Sequence, residues 1–217
     1  MDFALGVPWN SDRALFKVKG WHALVNKIAS VYESFLGSKA PARCVANEIN
    51  ATFAECGPFR TNATRSNFRF YTENDIAYYR HTDTLTPQAI SVWYIGSGAQ
   101  VGLQSISGLY GLSQLLDRRD SRDIRFKVWP HETSSVAHGE HVLAECYPAI
   151  CPEPDDWDEC QDEHERSAWR VLQFLTRHRE ANSLESLFTI TPRLAGRYEG
   201  VPFERQVEFE GYILGLQ

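Results

Sequence analysis

Apolar residues recur along this chain at two different spacings, and the switching between them is what most narrows its fold. Trp21, Leu24, Val25, Ile28, Tyr32, Phe35 and Leu36 repeat every three or four residues, so 21–36 reads as an amphipathic helix stopped by Gly37. Ile124, Phe126 and Val128 instead alternate with Arg125 and Lys127, which reads as a half-buried strand over 124–129. Further strands are expected over 3–7, over 142–147, and over 90–95, where β-branched and aromatic residues precede Gly96. Helical spacing returns in 43–55, with Ala46, Ile49 and Phe53 on one face, and in a short helix marked by Leu109, Leu112, Leu115 and Leu116. A charged turn is expected to follow that helix over 117–123. The last long helix carries Ala168, Val171, Leu172 and Leu175 on one face, and its basic end at 177–179 suits the negative pole of the dipole. Residues 200–214 read as a hairpin or edge strand, and 58–88 are too polar and turn-rich to assign.

Strands alternating with helices imply an α/β layer architecture with a largely parallel sheet, whose chemistry sits at the carboxyl ends of the strands. A length of 217 residues suits one domain over 1–217. With 43% hydrophobic and 23% charged residues the chain is too apolar to be disordered. No apolar run approaches the ~20 residues of a membrane helix, and the first residues lack the basic flank of a secretory signal. A cytoplasmic protein without a membrane partner is therefore expected. Five cysteines, an odd number, do not suggest a disulfide framework. The net charge of −6 argues against a broad grip on nucleic acid, although a site that collects divalent cations must itself be acidic.

Carboxylates fall at the ends of several expected elements. Asp2 opens the apolar run 3–7, Glu132 follows the strand 124–129, Glu145 lies inside the strand 142–147, and Asp162 and Glu163 begin the last long helix. Hard cations ~4 Å apart need oxygen ligands held by rigid neighbouring elements. Glu145 is the most informative, because a carboxylate inside an apolar strand is costly unless paired, hydrogen-bonded or bound to metal. Without a metal it reads as a strand-end glutamate that faces solvent or pairs with an arginine. Asp162 and Glu163 are favoured at a helix start with no function needed, and the acids of 153–165 read most simply as a solvated loop.

Other constellations carry less. His131, His138, His141, Cys146, Cys151 and Cys160 cluster in one third of the chain but lack paired zinc-ligand spacing. The glycines of 96–102 lack the Lys-Ser/Thr ending of a phosphate loop. Ser105 and Ser107 do not form a nucleophile elbow. Arg118, Arg119, Arg122, Arg125 and Lys127 form a basic patch interleaved with Asp117, Asp120 and Asp123, the pattern of a salt-bridged turn.

Several short motifs in order carry a resemblance. Asp2-Phe3-Ala4-Leu5-Gly6-Val7-Pro8 resembles the acid-plus-glycine-proline strand of the family called domain of unknown function 429. Gln100-Val101-Gly102 with Ser105-Ile106-Ser107-Gly108 resembles that family's central glycine motif, and Val128-Trp129-Pro130-His131-Glu132 its Trp-Pro strand end. Val142-Leu143-Ala144-Glu145-Cys146-Tyr147-Pro148 resembles its Glu-x-Tyr-Pro strand, and Glu210-Gly211-Tyr212-Ile213-Leu214-Gly215 its closing segment. The resemblance implies a ribonuclease H-like fold, as in Holliday junction resolvases, with a mixed or mostly parallel sheet flanked by helices. It implies a divalent-metal nuclease using Mg2+ or Mn2+ on nucleic acid, with Asp2, Glu145 and Asp162 as metal ligands, Glu163 substituting for the last, and Glu132 peripheral.

Two departures set an alternative beside that reading. Family members carry an earlier hairpin that supplies another aspartate, and this chain begins after that point, so the first strands are expected to be lacking. Arg166 stands where a second helix aspartate would follow Asp162. The alternative is a catalytically silent relative that acts as a binding or interaction module. A small-molecule hydrolase using the same acids is a third option.

Overall fold

In the computed structural model the described residues are 3–52, 57–61, 76–86, 88–96, 100–122, 125–153, 162–190 and 200–216. Among them, seven α-helices and one two-stranded parallel sheet give a mixed α/β architecture. None of the described helices is long and apolar enough to cross a membrane.

After the single turn α1 (Ser11–Ala14), α2 (Trp21–Glu33) buries Trp21, Leu24, Val25, Ile28 and Ala29 on the expected stripe. It ends earlier than its apolar spacing suggests. Phe35, Leu36 and Ser38 each donate to a carbonyl three residues back, so the chain tightens into turns and leaves Leu36 55% exposed. Next, α3 (Pro41–Ala51) starts at a proline whose fixed φ suits a first helical position, and it buries Ala42, Val45, Ala46 and Ile49. The expected face residue Phe53 lies outside the described residues. The short α4 (His81–Leu85) arises within the stretch that sequence spacing left unassigned.

The long α5 (Val101–Arg122) absorbs both the expected short helix and most of the expected charged turn. Nothing in 117–122 breaks a helix, so the alternating charges simply extend it. Glycine at 108 has a packing reason: a Cβ there would strike the Phe3 ring. Tyr110 stacks on Tyr32 of α2 with ring centroids 4.4 Å apart.

Of the four strands expected up to residue 147, two form. β1 (Lys127–Trp129) pairs in parallel with β2 (Val142–Ala144), in the register Lys127 to Val142, Val128 to Leu143 and Trp129 to Ala144. The first residue of the expected β1, Ile124, lies outside the described residues. Residues 90–95 hold a turn, closed by Tyr94 N–H donating to Ser91 O, and among the described residues one bridge at Tyr94 joins them to Arg60. Residues 3–7 are likewise not a strand, since their backbone groups are met by side chains: Leu5 N–H donates to Glu145 Oε2 and Leu5 O accepts from Trp21 Nε1.

The helix α6 (Glu163–Glu180) has its packing stripe rotated from expectation. Phe174 and Leu175 pack inward, whereas Leu172 is 53% exposed. The tail is not a hairpin. It forms α7 (Phe203–Glu210), ended by Gly211 at φ 86°, and only Ile213 bridges back to Glu145.

Buried side chains fall into two groups. One gathers Leu5, Leu24, Val25, Ile28, Val45, Ile106, Leu109 and Leu112 between α2, α3 and α5. The other gathers Leu187, Phe203, Val207, Tyr212 and Ile213 around the C-terminal segment. β1 contributes to both, Val128 to the first and Trp129 to the second, each fully buried. Burial of this kind stabilises by ~1.5–3 kcal/mol for each large apolar side chain.

Candidate functional site

The buried polar centre of the molecule is built around Arg80. It is the residue before α4, and its backbone N–H donates to Asp83 Oδ2 at 3.0 Å, closing a capping box on the first turn. The guanidinium then reaches both ways. Nη2 meets Asp83 Oδ1 at 2.7 Å and Glu145 Oε1 at 2.7 Å, while Nη1 meets Glu145 Oε2 at 2.6 Å. The pairing with Glu145 is a fork-to-fork bidentate contact, the strongest geometry available to these groups. Glu145 follows β2 directly, so the strand end carries its carboxylate into the core, where Leu5 N–H adds a third donor at 3.1 Å. Burial works against the Arg80 charge, but Asp83 and Glu145 outweigh it and raise its pKa above the ordinary arginine range.

A third buried acid adjoins this group. Glu210, the last residue of α7, is fully buried and accepts from Trp9 N–H at Oε1 and from His81 N–H at Oε2, both at 2.6 Å. Its own carbonyl lies 3.4 Å from Arg80 Nη1. Burial pushes the Glu210 carboxyl up to about 7; the two amide donors lower it, nearby Asp83 raises it and Arg80 lowers it.

Each acid singled out from the sequence has a definite place, except Asp2, which lies outside the described residues. Glu145 is in the Arg80 network. Asp162 caps α6 by accepting from Glu165 N–H at 2.9 Å, and that bond holds its carboxyl below the usual range. Glu163 is 76% exposed and lies 3.9 Å from Arg166. Glu132 is a structural tie: it accepts from Val128 N–H and from Arg119 Nη1, both at 2.8 Å, and pairs with His22 Nε2 at 3.0 Å. Among the described residues no three His, Cys, Asp or Glu side chains form a group able to hold a metal ion. Two of the five residues of the basic patch are committed as well, Arg119 to Glu132 and Lys127 to Glu140.

Arg80, Asp83 and Glu210 escaped sequence reasoning. The signal for the first two was Arg80-His81-Thr82-Asp83, an acid three residues past a helix boundary, set in a stretch without apolar periodicity. Glu210 stood one helical turn beyond Gln206 and Val207, both buried, at a spacing that marks a helix face.

Next to Glu210 the surface opens into a cleft of about 260 Å3 whose lining includes Trp9, Arg13, Lys19, His22, His131 and Arg205. Asp12, in its lining, accepts from Gly20 N–H at 2.6 Å and from Arg13 N–H at 2.8 Å. His131 stacks on Trp21 at 4.2 Å and shares Nδ1 with Glu208 O at 2.7 Å. Burial holds its imidazole neutral, with a pKa lowered to about 3 despite the Glu208 bond, and the Arg80 and His22 charges add to that lowering. The neutral ring therefore carries its proton on Nδ1, the nitrogen facing the carbonyl.

No protein-family model, curated protein or solved structure matches this chain.

Proposed function

We infer that this chain is a catalytically silent, ribonuclease H-like binding module rather than a working metal nuclease. The observation that carries this reading is the state of Glu145. Both of its oxygens are taken by Arg80, and the side chains of the pair are only 7% and 3% exposed. A divalent ion at that carboxylate would have to displace a buried guanidinium or sit against its positive charge, and either costs several kcal/mol. Asp162 and Glu163 give no compensation, one being an exposed helix cap and the other a solvated glutamate. The donor set therefore does not fit a pair of Mg2+ or Mn2+ ions. The cleft beside Glu210 is a concave surface with room for a small ligand, below the ~300 Å3 where drug-sized sites begin.

The nuclease reading keeps one observation in its favour. The hydrogen bond from Leu5 to Glu145 brings the segment after Asp2 against the Glu-x-Tyr-Pro segment, as the resemblance requires. A thermal melt with and without ~10 mM Mn2+ or Mg2+ separates the two. A site with a millimolar dissociation constant would add ~1.4 kcal/mol, or roughly 3–6 °C for a chain of this size. The silent module gives no shift beyond about 1 °C. A rise of the larger size that Asp162→Asn or Asp2→Asn abolishes would refute it.

A further inference from the structure

Arg13, Lys19 and Arg205 all line the cleft beside Glu210, and the segment that carries the first two is tied down at both ends. Asp12 makes the ties: Oδ1 accepts from Arg13 N–H at 2.8 Å and Oδ2 from Gly20 N–H at 2.6 Å. Within that closure Val18 N–H donates to Asp12 O at 2.9 Å. Arg13 therefore stands on an anchored peptide and Lys19 directly beside one. Arg205 comes to the same cleft from α7. All three residues are exposed, and among the described residues none has an acid within ion-pair distance. Lys17, in the same segment, instead spends its ammonium on Ala14 O at 2.9 Å and takes no part in the lining.

The cleft does not cancel these charges. Two acids share its lining: Asp12, buried with both oxygens on backbone N–H groups, and the exposed Glu208. His131 is neutral, and His22 meets Glu132 at 3.0 Å. Three cations against two acids leave the lining positive in a chain whose net charge is −6. Like charges gathered on a concave surface repel one another and focus their field on whatever fills it, which favours an anion. Much of the remaining lining is aromatic. Trp9 is half-buried and sets its ring edge-on to Phe209 at 5.6 Å, while Trp21 stacks on His131 at 4.2 Å. Rings held by their neighbours in this way offer surface to another flat ring. At about 260 Å3 the space suits a ligand smaller than a drug-sized one.

We propose that the cleft binds a small aromatic anion, a single flat ring that carries a carboxylate or a phosphate. The ring lies against Trp9 and Phe209, and Arg13, Lys19 and Arg205 hold the anionic group. Each arginine offers a planar fork of N–H donors to a pair of oxygens, and Lys19 adds a point charge. Because Asp12 already closes the segment 12–20, binding has side chains to order but not that backbone, which keeps its entropic cost low. The inference rests on the reading of this chain as a binding module and adds the chemical class of the ligand.

The test titrates the whole chain with phenyl phosphate, benzoate, benzyl alcohol and inorganic phosphate at low salt, followed by 1H–15N NMR. Phenyl phosphate or benzoate should bind with a dissociation constant of about 1 mM or tighter, moving the Trp9 indole and the Arg13 and Lys19 amides. The tighter of the two tells a phosphate ligand from a carboxylate. Benzyl alcohol has the ring without the charge and inorganic phosphate the charge without the ring, so each should bind at least about fivefold more weakly. Arg13→Gln, Lys19→Gln and Arg205→Gln, all at exposed positions, should each weaken the aryl anion by about 2- to 5-fold, and added salt should weaken it further. The inference is overturned if neither aryl anion reaches that affinity, if benzyl alcohol or inorganic phosphate matches them, or if the three substitutions together change nothing. Tight binding of benzyl alcohol alone would overturn the ligand class and leave the binding-module reading standing. A melt raised by Mn2+ or Mg2+ would overturn that reading whatever the aryl anions do.

Discussion

Replacing Arg80 by methionine removes the guanidinium that pairs with both Asp83 and Glu145 while keeping most of the side-chain volume. Two carboxylates, each about 95% buried, then keep their backbone N–H donors but lose the cation that pairs with both. Breaking a buried pair from one side costs about 3–5 kcal/mol, and the loss here belongs at the upper end because one arginine serves two acids. At roughly 2–4 °C per kcal/mol for a chain of this length, the melting temperature should fall by ~6–20 °C. Urea unfolding at pH 7 measures the loss directly, and an unchanged m-value would confirm that the folded state alone is affected. Raising the salt concentration should leave the difference intact, since burial shields these charges from screening. Adding Asp83→Asn and Glu145→Gln to the same chain should recover at least half of the loss, because the uncompensated charges go with them. A cost below ~1 kcal/mol for Arg80→Met, the size expected of an exposed ion pair, would refute the reasoning.

Glu210 gives stability a pH dependence of definite sign. Its folded-state pKa of about 7 lies above the 4.5 of an ordinary glutamate, so its contribution is full below about pH 4.5 and is lost as the pH rises through 7. At ~1.4 kcal/mol per pKa unit the loss amounts to ~3 kcal/mol, measurable by urea unfolding at pH 5 and pH 8, and Glu210→Gln should flatten it. Gly108→Ala drives a methyl into the Phe3 ring and should destabilise by about 1–3 kcal/mol in the same assay; a neutral result would mean that Phe3 moves aside at no cost.

How much was legible in the sequence depended on whether burial followed the apolar residues. The helices α2 and α3 keep their apolar and buried positions in step, and sequence spacing finds them; it also finds β1 and β2, although β2 is half-buried throughout. It failed at α7 because two of the buried positions, Gln206 and Glu210, are polar, and the apolar residues left over mimic a strand's alternation. It failed at 90–95 for the opposite reason: the residues are strand-forming, but Trp93 is buried as part of a turn and, among the described residues, the segment makes one isolated bridge. At the site, sequence alone marked Glu145 as a costly buried carboxylate and allowed an arginine as its partner. Which arginine was beyond reach, because Arg80 lies 65 residues away in a segment without periodicity.

A three-residue strand shared between two cores makes β1 a short mechanical link between them. Val128 and Trp129 are consecutive and fully buried, and they point into different hydrophobic groups. Any strain that tilts this strand is handed from one group to the other without passing through solvent or a loop. Enlarging Val128 should therefore be felt by Phe188 and Tyr212, whose rings stand edge-on to Trp129 at 5.5 and 6.0 Å, as strongly as by the helices that Val128 itself touches. Residues that never meet are thereby kept from varying independently.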